Sequence, residues 1–196
     1  GCALFTSSPE EGQENKEALT LPEGSGATLG DTTSALPDDG QLRIEVYKDR
    51  REIVLKRGQV AIGNYDVRLG LNPKGKKLAR GDSRTPEGRY RVCEVRPSKY
   101  KAFIWFNYPN EEDADSALRE GRLSPGQHRR IRNALKAGQC PPSDTPLGGL
   151  VGIHGDEEEP PRRYNWTQGC IALVSNHDVL RLAKLIRPGT QVVIHP

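Results

Sequence analysis

Residues Leu42 to Lys48 read LRIEVYK, and the alternation within them decides the fold. Leu42, Ile44 and Val46 alternate with polar neighbours, the period of two expected of a half-buried strand. The next stretch, DRREIVLKRG, reads as a turn and a second strand, so residues 42 to 57 form a hairpin. YDVRLGL alternates again, with Tyr65, Val67, Leu69 and Leu71 on one face, and after the turn-rich GDSRTPEG come two more strands, RYRVCEVR and KAFIWFNY. The body of the chain is β. Residues 109–148 interrupt it with a helical insertion. There SPGQHRRIRNALKAG supplies Ser124 as an N-cap, Pro125 in the first turn and Gly138 just past the end. The bases Arg129, Arg130, Arg132 and Lys136 on that helix read as a solvated face, or as a surface that meets an anionic substrate.

Outward from the hairpin towards the N-terminus the composition changes. Residues 1–40 carry eight acids against one base, Lys16, a net charge of −7 that leaves +10 on the remainder. Rich in Gly, Ser, Thr and Pro, with few large apolar side chains, this segment buries too little surface to offset its ordering entropy and reads as a flexible acidic linker. It opens GCALFTSSPEEGQ, similar to the junction at which a secreted bacterial lipoprotein is cut before an acylated cysteine. On that reading Cys2 is a lipidation site and residues 1–40 a tether; on the other, Cys2 is an incidental thiol. With 196 residues and 34% hydrophobic content, the chain closes one core of ordinary size. No apolar run is long enough to span a bilayer.

The other direction holds the chemistry. GGLVGIHG is a short apolar strand ending at His154, and GCIALVSN is another, entered through Gly169 and Cys170. Ser175 and Asp178 then have capping-box spacing before a helix whose inward residues are Val179, Leu182, Ala183, Leu185 and Ile186. Pro188 and Gly189 end it, and QVVI makes a closing strand. A cysteine attacks a carbonyl carbon as thiolate, and a neighbouring imidazole makes that thiolate available near neutral pH. The 15 residues between His154 and Cys170, GDEEEPPRRYNWTQG, suffice to leave one strand and return on its neighbour. Amide groups around Cys170 could stabilise an oxyanion. The plainer reading makes Cys170 a small buried hydrophobe and His154 a satisfied structural residue. No Cys-x-x-Cys or His-Glu-x-x-His occurs and the four histidines are scattered, so neither a metal nor another cofactor is expected, nor a nucleic-acid partner.

GIHG followed by WTQGCIAL resembles the active-site motif of the L,D-transpeptidases of the YkuD type, which build or remodel bacterial peptidoglycan. The opening hairpin, GDSRTPEGRY, YPN at 108 to 110 and the final helix and strand stand in the corresponding order, so the resemblance covers about residues 42 to 196. It implies a mostly β, β-rich α+β fold: a YkuD-like β-sandwich with the helical insertion, a C-terminal helix, and the cysteine beneath a capping loop. It implies Cys170 as nucleophile, His154 as acid/base, Gly169 and Gly155 as the oxyanion or backbone groups, and Trp166, Thr167, Arg162 and Arg163 as substrate contacts. Its substrates would be stem tetrapeptides, cleaved between diaminopimelate and D-alanine through a thioester. A stem amine, a peptidoglycan-linked lipoprotein or water would then be the acceptor, the last making the enzyme a carboxypeptidase or a lipoprotein-releasing amidase. Carbapenem-type β-lactams would acylate Cys170, and the enzyme would work in the periplasm or cell envelope. Many members carry arginine two residues after the cysteine, where this chain has Ala172. Arg84, Arg89, Arg162 and Arg163 are the candidates to hold the substrate carboxylate instead. A non-catalytic peptidoglycan-binding module has little need of both Cys170 and His154. A papain-like peptidase would have its cysteine and histidine in the opposite order.

If Cys2 is lipidated, three cysteines remain. A catalytic thiol has to stay out of any bridge, which makes a Cys93–Cys140 disulfide the economical pairing; the alternatives leave Cys93 merely buried and Cys140 a loop residue, or bridge one of them to Cys170 in a redox-inhibited enzyme.

Overall fold

The computed structural model describes residues 40–196, so Cys2 and the acidic N-terminal segment lie outside the described residues. The elements are β1 (Leu42–Tyr47), β2 (Glu52–Arg57), β3 (Val60–Arg68), β4 (Gly88–Ser98), β5 (Lys101–Phe106), α1 (Glu111–Arg119), α2 (Pro125–Lys136), β6 (Gly152–His154), β7 (Ile171–Leu173), α3 (Asn176–Leu185) and β8 (Gln191–His195). The hairpin of residues 42–57 is present, with Leu42 opposite Arg57 and Tyr47 opposite Glu52. Ile44, Val46, Ile53 and Leu55 from it are buried in the main core.

The eight strands close into a barrel in the order β1-β2-β3-β7-β6-β5-β4-β8. Two long strands account for this. β3 pairs with β2 through Val60 to Asp66 and with β7 through Val67 and Arg68. β4 pairs with β8 through Gly88 to Arg91 and with β5 from Val92 onward. Each strand therefore passes from one half of the structure to the other, with bulges at Leu55/Lys56 and Val92/Glu94 that bend the ladder. A strand shared by both halves joins what would be two sheet edges.

Two core assignments shift at element ends. Val67 and Leu69 are buried, but Leu71 is 62% exposed. The chain has left β3 by then, and the Leu71 N–H turns to the carbonyl of Thr167. At the end of α3 Leu185 is exposed, whereas Ile186, the C-cap, is fully buried.

The insertion has the caps its sequence implies. Ser124 accepts from the Gln127 N–H, and the Gln127 side chain returns to the Ser124 N–H, with Pro125 in the first turn. Ala114, Ala117, Leu123, Ile131 and Leu147 make a second, smaller core beneath α1 and α2. Arg130 pairs with Asp144 at 2.8 Å and Arg132 with Asp115 at 3.2 Å, so these two bases serve the insertion's own carboxylates. Cys93 and Cys140 are joined in a disulfide, which fixes the chain just after α2 to β4 with their Cα atoms 5.3 Å apart. For a loop of 47 residues the chain-entropy account gives this bridge about 4 kcal/mol.

Candidate active site

β6 and β7 are parallel neighbours, with Ile153 opposite Ile171 and His154 opposite Ala172. Side chains alternate along a strand, and paired residues share a face. His154 and Ala172 thus lie on one face, and Cys170 stands just before β7, two residues ahead of Ala172. Ile153, Ile171 and Leu173 take the opposite face. The loop of residues 155–169 links the two strands. Ala172 stands directly beside the imidazole, at the position of the arginine found in the resembling sequences.

His154 is 1% exposed, among the rings of Tyr100, Phe103 and Trp166 at centroid distances of 4.7, 6.3 and 5.5 Å. Its Nδ1 lies 2.6 Å from the Gly155 carbonyl oxygen. A carbonyl only accepts, so Nδ1 carries the proton and Nε2 is the basic nitrogen. Burial lowers the imidazole from its ordinary 6.5 to about 4, against the opposing effects of the Gly155 carbonyl and the Asp156 carboxylate. At neutral pH His154 is an uncharged base. In the unfolded chain it still titrates near 6.5, so between the two values the unfolded state binds the extra proton. Stability from this group is full above about pH 6.5 and falls by roughly 3 kcal/mol as pH drops through 4. Denaturant unfolding of His154→Gln should therefore show a shallower acid loss than the parent by about that amount. Parallel curves would contradict the buried neutral imidazole.

Gly155 and Gly169 both use their amides within the protein. The Gly155 N–H donates to Tyr100 O at 3.0 Å, and that of Gly169 to Thr167 Oγ1 at 3.2 Å. Gly155 accordingly orients the imidazole through its carbonyl and gives no oxyanion donor of its own. A Cβ there would lie 2.5 Å from Asn176 Oδ1, at the start of α3. Gly169, at φ +125°, has the Arg84 carbonyl oxygen 2.5 Å from where a Cβ would lie. The Thr167 hydroxyl donates to Cys170 O at 2.6 Å while accepting from Gly169. It shapes the turn before Cys170 and has no hydrogen left for a substrate. Thr167 is itself held to the chain after β3, through Leu69 O and the Leu71 N–H. The Cys170 sulfur lies 3.6 Å from Leu150 O, and the residue is 1% exposed.

The arginines proposed to hold a carboxylate are not equivalent. Arg162 lies 4.4 Å over the Trp166 ring and binds Asp156 at 2.8 Å and Glu158, so its charge is matched inside the loop. Arg163 is exposed, and its carbonyl accepts from Arg68. Arg89 is exposed on β4 opposite Val193. Arg84 is half-buried with its carbonyl against Gly169, and its Nε is buried without a hydrogen-bond partner. Sequence reasoning overlooked Asp156 and Asn176. Asp156, 1% exposed, accepts from the N–H groups of Glu158 and Arg162, and its own N–H donates to Asn176 Oδ1. The only signal for them was the acid directly after His154-Gly155 and an asparagine just inside a helix.

The model of the L,D-transpeptidase catalytic domain, YkuD, matches residues 41–194. No curated protein sequence matches the chain. Among solved structures it is similar to the helical cell shape determining protein Pgp2 from Campylobacter jejuni, with 20% identity and a TM-score of 0.56 over 81% of this chain and 48% of that one. It is also similar to Bd1075 of Bdellovibrio bacteriovorus, with 20% identity and a TM-score of 0.51 over 80% and 48%. At these identities the likeness is one of fold, and the chain spans about half the length of either neighbour.

Proposed function

Because the chain belongs to the L,D-transpeptidase catalytic-domain family, we propose that it is a peptidoglycan-modifying cysteine acyltransferase whose nucleophile is Cys170. The observation that carries this is the placement of Cys170 at the entry to β7, the parallel neighbour of the strand that ends in a buried, uncharged His154. In the reduced enzyme, Nε2 of His154 takes the Sγ proton as sulfur attacks the carbonyl between the L-centre of diaminopimelate and the terminal D-alanine. The C–N bond breaks, the imidazole returns the proton to the leaving amine, and D-alanine departs from a thioester on Cys170. The acceptor amine then loses a proton to His154, attacks the thioester and frees the thiol; with water as acceptor the same steps give hydrolysis.

Arg84 is the arginine best suited to the substrate carboxylate, since its buried Nε lacks a partner beside the turn that carries Cys170. A Cys93–Cys140 disulfide suits an oxidising compartment, where peptidoglycan stems are found, and supports a site of action in the periplasm or cell envelope. A role in cell shape, as the name of the Campylobacter jejuni neighbour states for that protein, follows from the same substrate.

Incubation of the reduced protein with a disaccharide tetrapeptide, followed by mass analysis, tests this. Cross-linked dimer is the expected product, and a carbapenem should leave its mass on the Cys170 peptide. Tripeptide alone would make the enzyme a hydrolase. Unchanged substrate with no adduct would leave a binding module and overturn the proposal.

A further inference from the structure

In the segment after β3, Leu71, Asn72, Lys74, Gly75, Leu78 and Arg80 are exposed, yet Lys77 among them is 1% exposed. Lysine is among the residues least often buried, and a buried ammonium needs a matched charge. Lys77 has one. Its Nζ donates to Asp82 Oδ1 at 2.7 Å and to Ala79 O at 3.0 Å. Burial raises the Asp82 carboxyl, but Lys77 and the N–H groups of Ala79, Leu78 and Arg84 outweigh it and hold the group below its ordinary range, so the pair is ionic. An ammonium has three N–H bonds, and these two acceptors leave one over.

The position of that charge is the informative part. A Cβ on Gly169 would lie 3.6 Å from Lys77 Nζ, whereas Asp82 is not among the atoms nearest that point. The pair therefore presents its positive end to the glycine that precedes Cys170. Of the other charged groups around it, Lys76 pairs with Asp113 of α1 at 2.9 Å and Arg122 binds Leu78 O and Glu120, while Arg84, whose carbonyl faces Gly169, reaches Lys76 O through Nη1 at 3.5 Å. His154 is neutral near pH 7.

We infer that Lys77 is an electrostatic positioning residue, a buried cation behind the Gly169–Cys170 turn that raises the thiolate fraction of Cys170. This rests on Cys170 being the nucleophile of the proposed function. It explains how a base as weak as His154 suffices: part of the work of ionising the thiol is done by a fixed charge that no substrate touches.

The test reads the ionisation of Cys170 with no peptidoglycan present. The reduced full chain is alkylated with iodoacetamide over a pH series, and the Cys170 peptide is quantified by mass. Lys77→Met should raise the apparent pKa of Cys170 by about one unit, and Asp82→Asn, which leaves the cation unopposed, should lower it by a similar amount. A merely structural clamp would move both variants in the same direction, because both loosen the same loop; that result, or no shift in folded Lys77→Met, overturns the inference. If Lys77→Met does not fold, the double variant Lys77→Met/Asp82→Asn removes both charges and should still show a raised pKa, and an unchanged value there overturns it equally. Shifts of the expected sign in a protein that leaves tetrapeptide untouched would keep this effect of Lys77 while removing the transpeptidase reading.

Discussion

Replacing Cys170 by alanine is expected to lower turnover of a stem tetrapeptide by at least about 10⁴-fold, since no other group can form the acyl-enzyme and the reaction loses its covalent path. The fold should survive. Cys170 sits at the mouth of β7 among backbone contacts made by Thr167, Gly169 and Arg84, which alanine keeps, and the variant is compared with the reduced parent. Dimer and tripeptide would be quantified by mass, with circular dichroism of the same sample. A folded Cys170→Ala protein that works at the parental rate would remove the nucleophile from the mechanism.

His154→Gln should slow acylation by about 10²–10⁴-fold, the usual contribution of a positioned acid/base. Glutamine keeps much of the volume packed between Tyr100, Phe103 and Trp166, so the loss reports proton transfer more than a cavity. Rapid-mixing acylation by a carbapenem isolates this step from transfer to the acceptor. Acylation at the parental rate would leave the imidazole with a structural role only.

Local features of this chain were readable because local rules produce them. The 42–57 hairpin follows from alternation, α2 from Ser124, Pro125 and Gly138, and the entry to α3 from Ser175, whose side chain accepts from the Asp178 N–H. The relation of His154 to Cys170 was readable from a motif combined with the length of the loop between them. What escaped depends on distant partners. Closure into a barrel turns on β3 and β4 exchanging neighbours midway, and nothing in their alternation marks the exchange. Nothing in the sequence NPKGKK singles out Lys77, and only the approach of Asp82 and Gly169 makes it a buried ion.

The closed ring bears on how a peptide can be recognised at all. Many proteins capture an extended peptide by adding it as one more strand to an open edge, where a repeating main-chain ladder fixes direction and register. Each of the eight described strands has a neighbour on both sides in the closed order, so no strand offers a full-length open edge for that grip. At the proposed site, recognition would then fall to side chains and loop backbone around Cys170, residue by residue. For the proposed stem substrate, which mixes L and D centres, this would be an advantage. Inverted stereocentres would turn side chains out of the alternation that a ladder requires, while a site that reads groups one at a time has no such register to break.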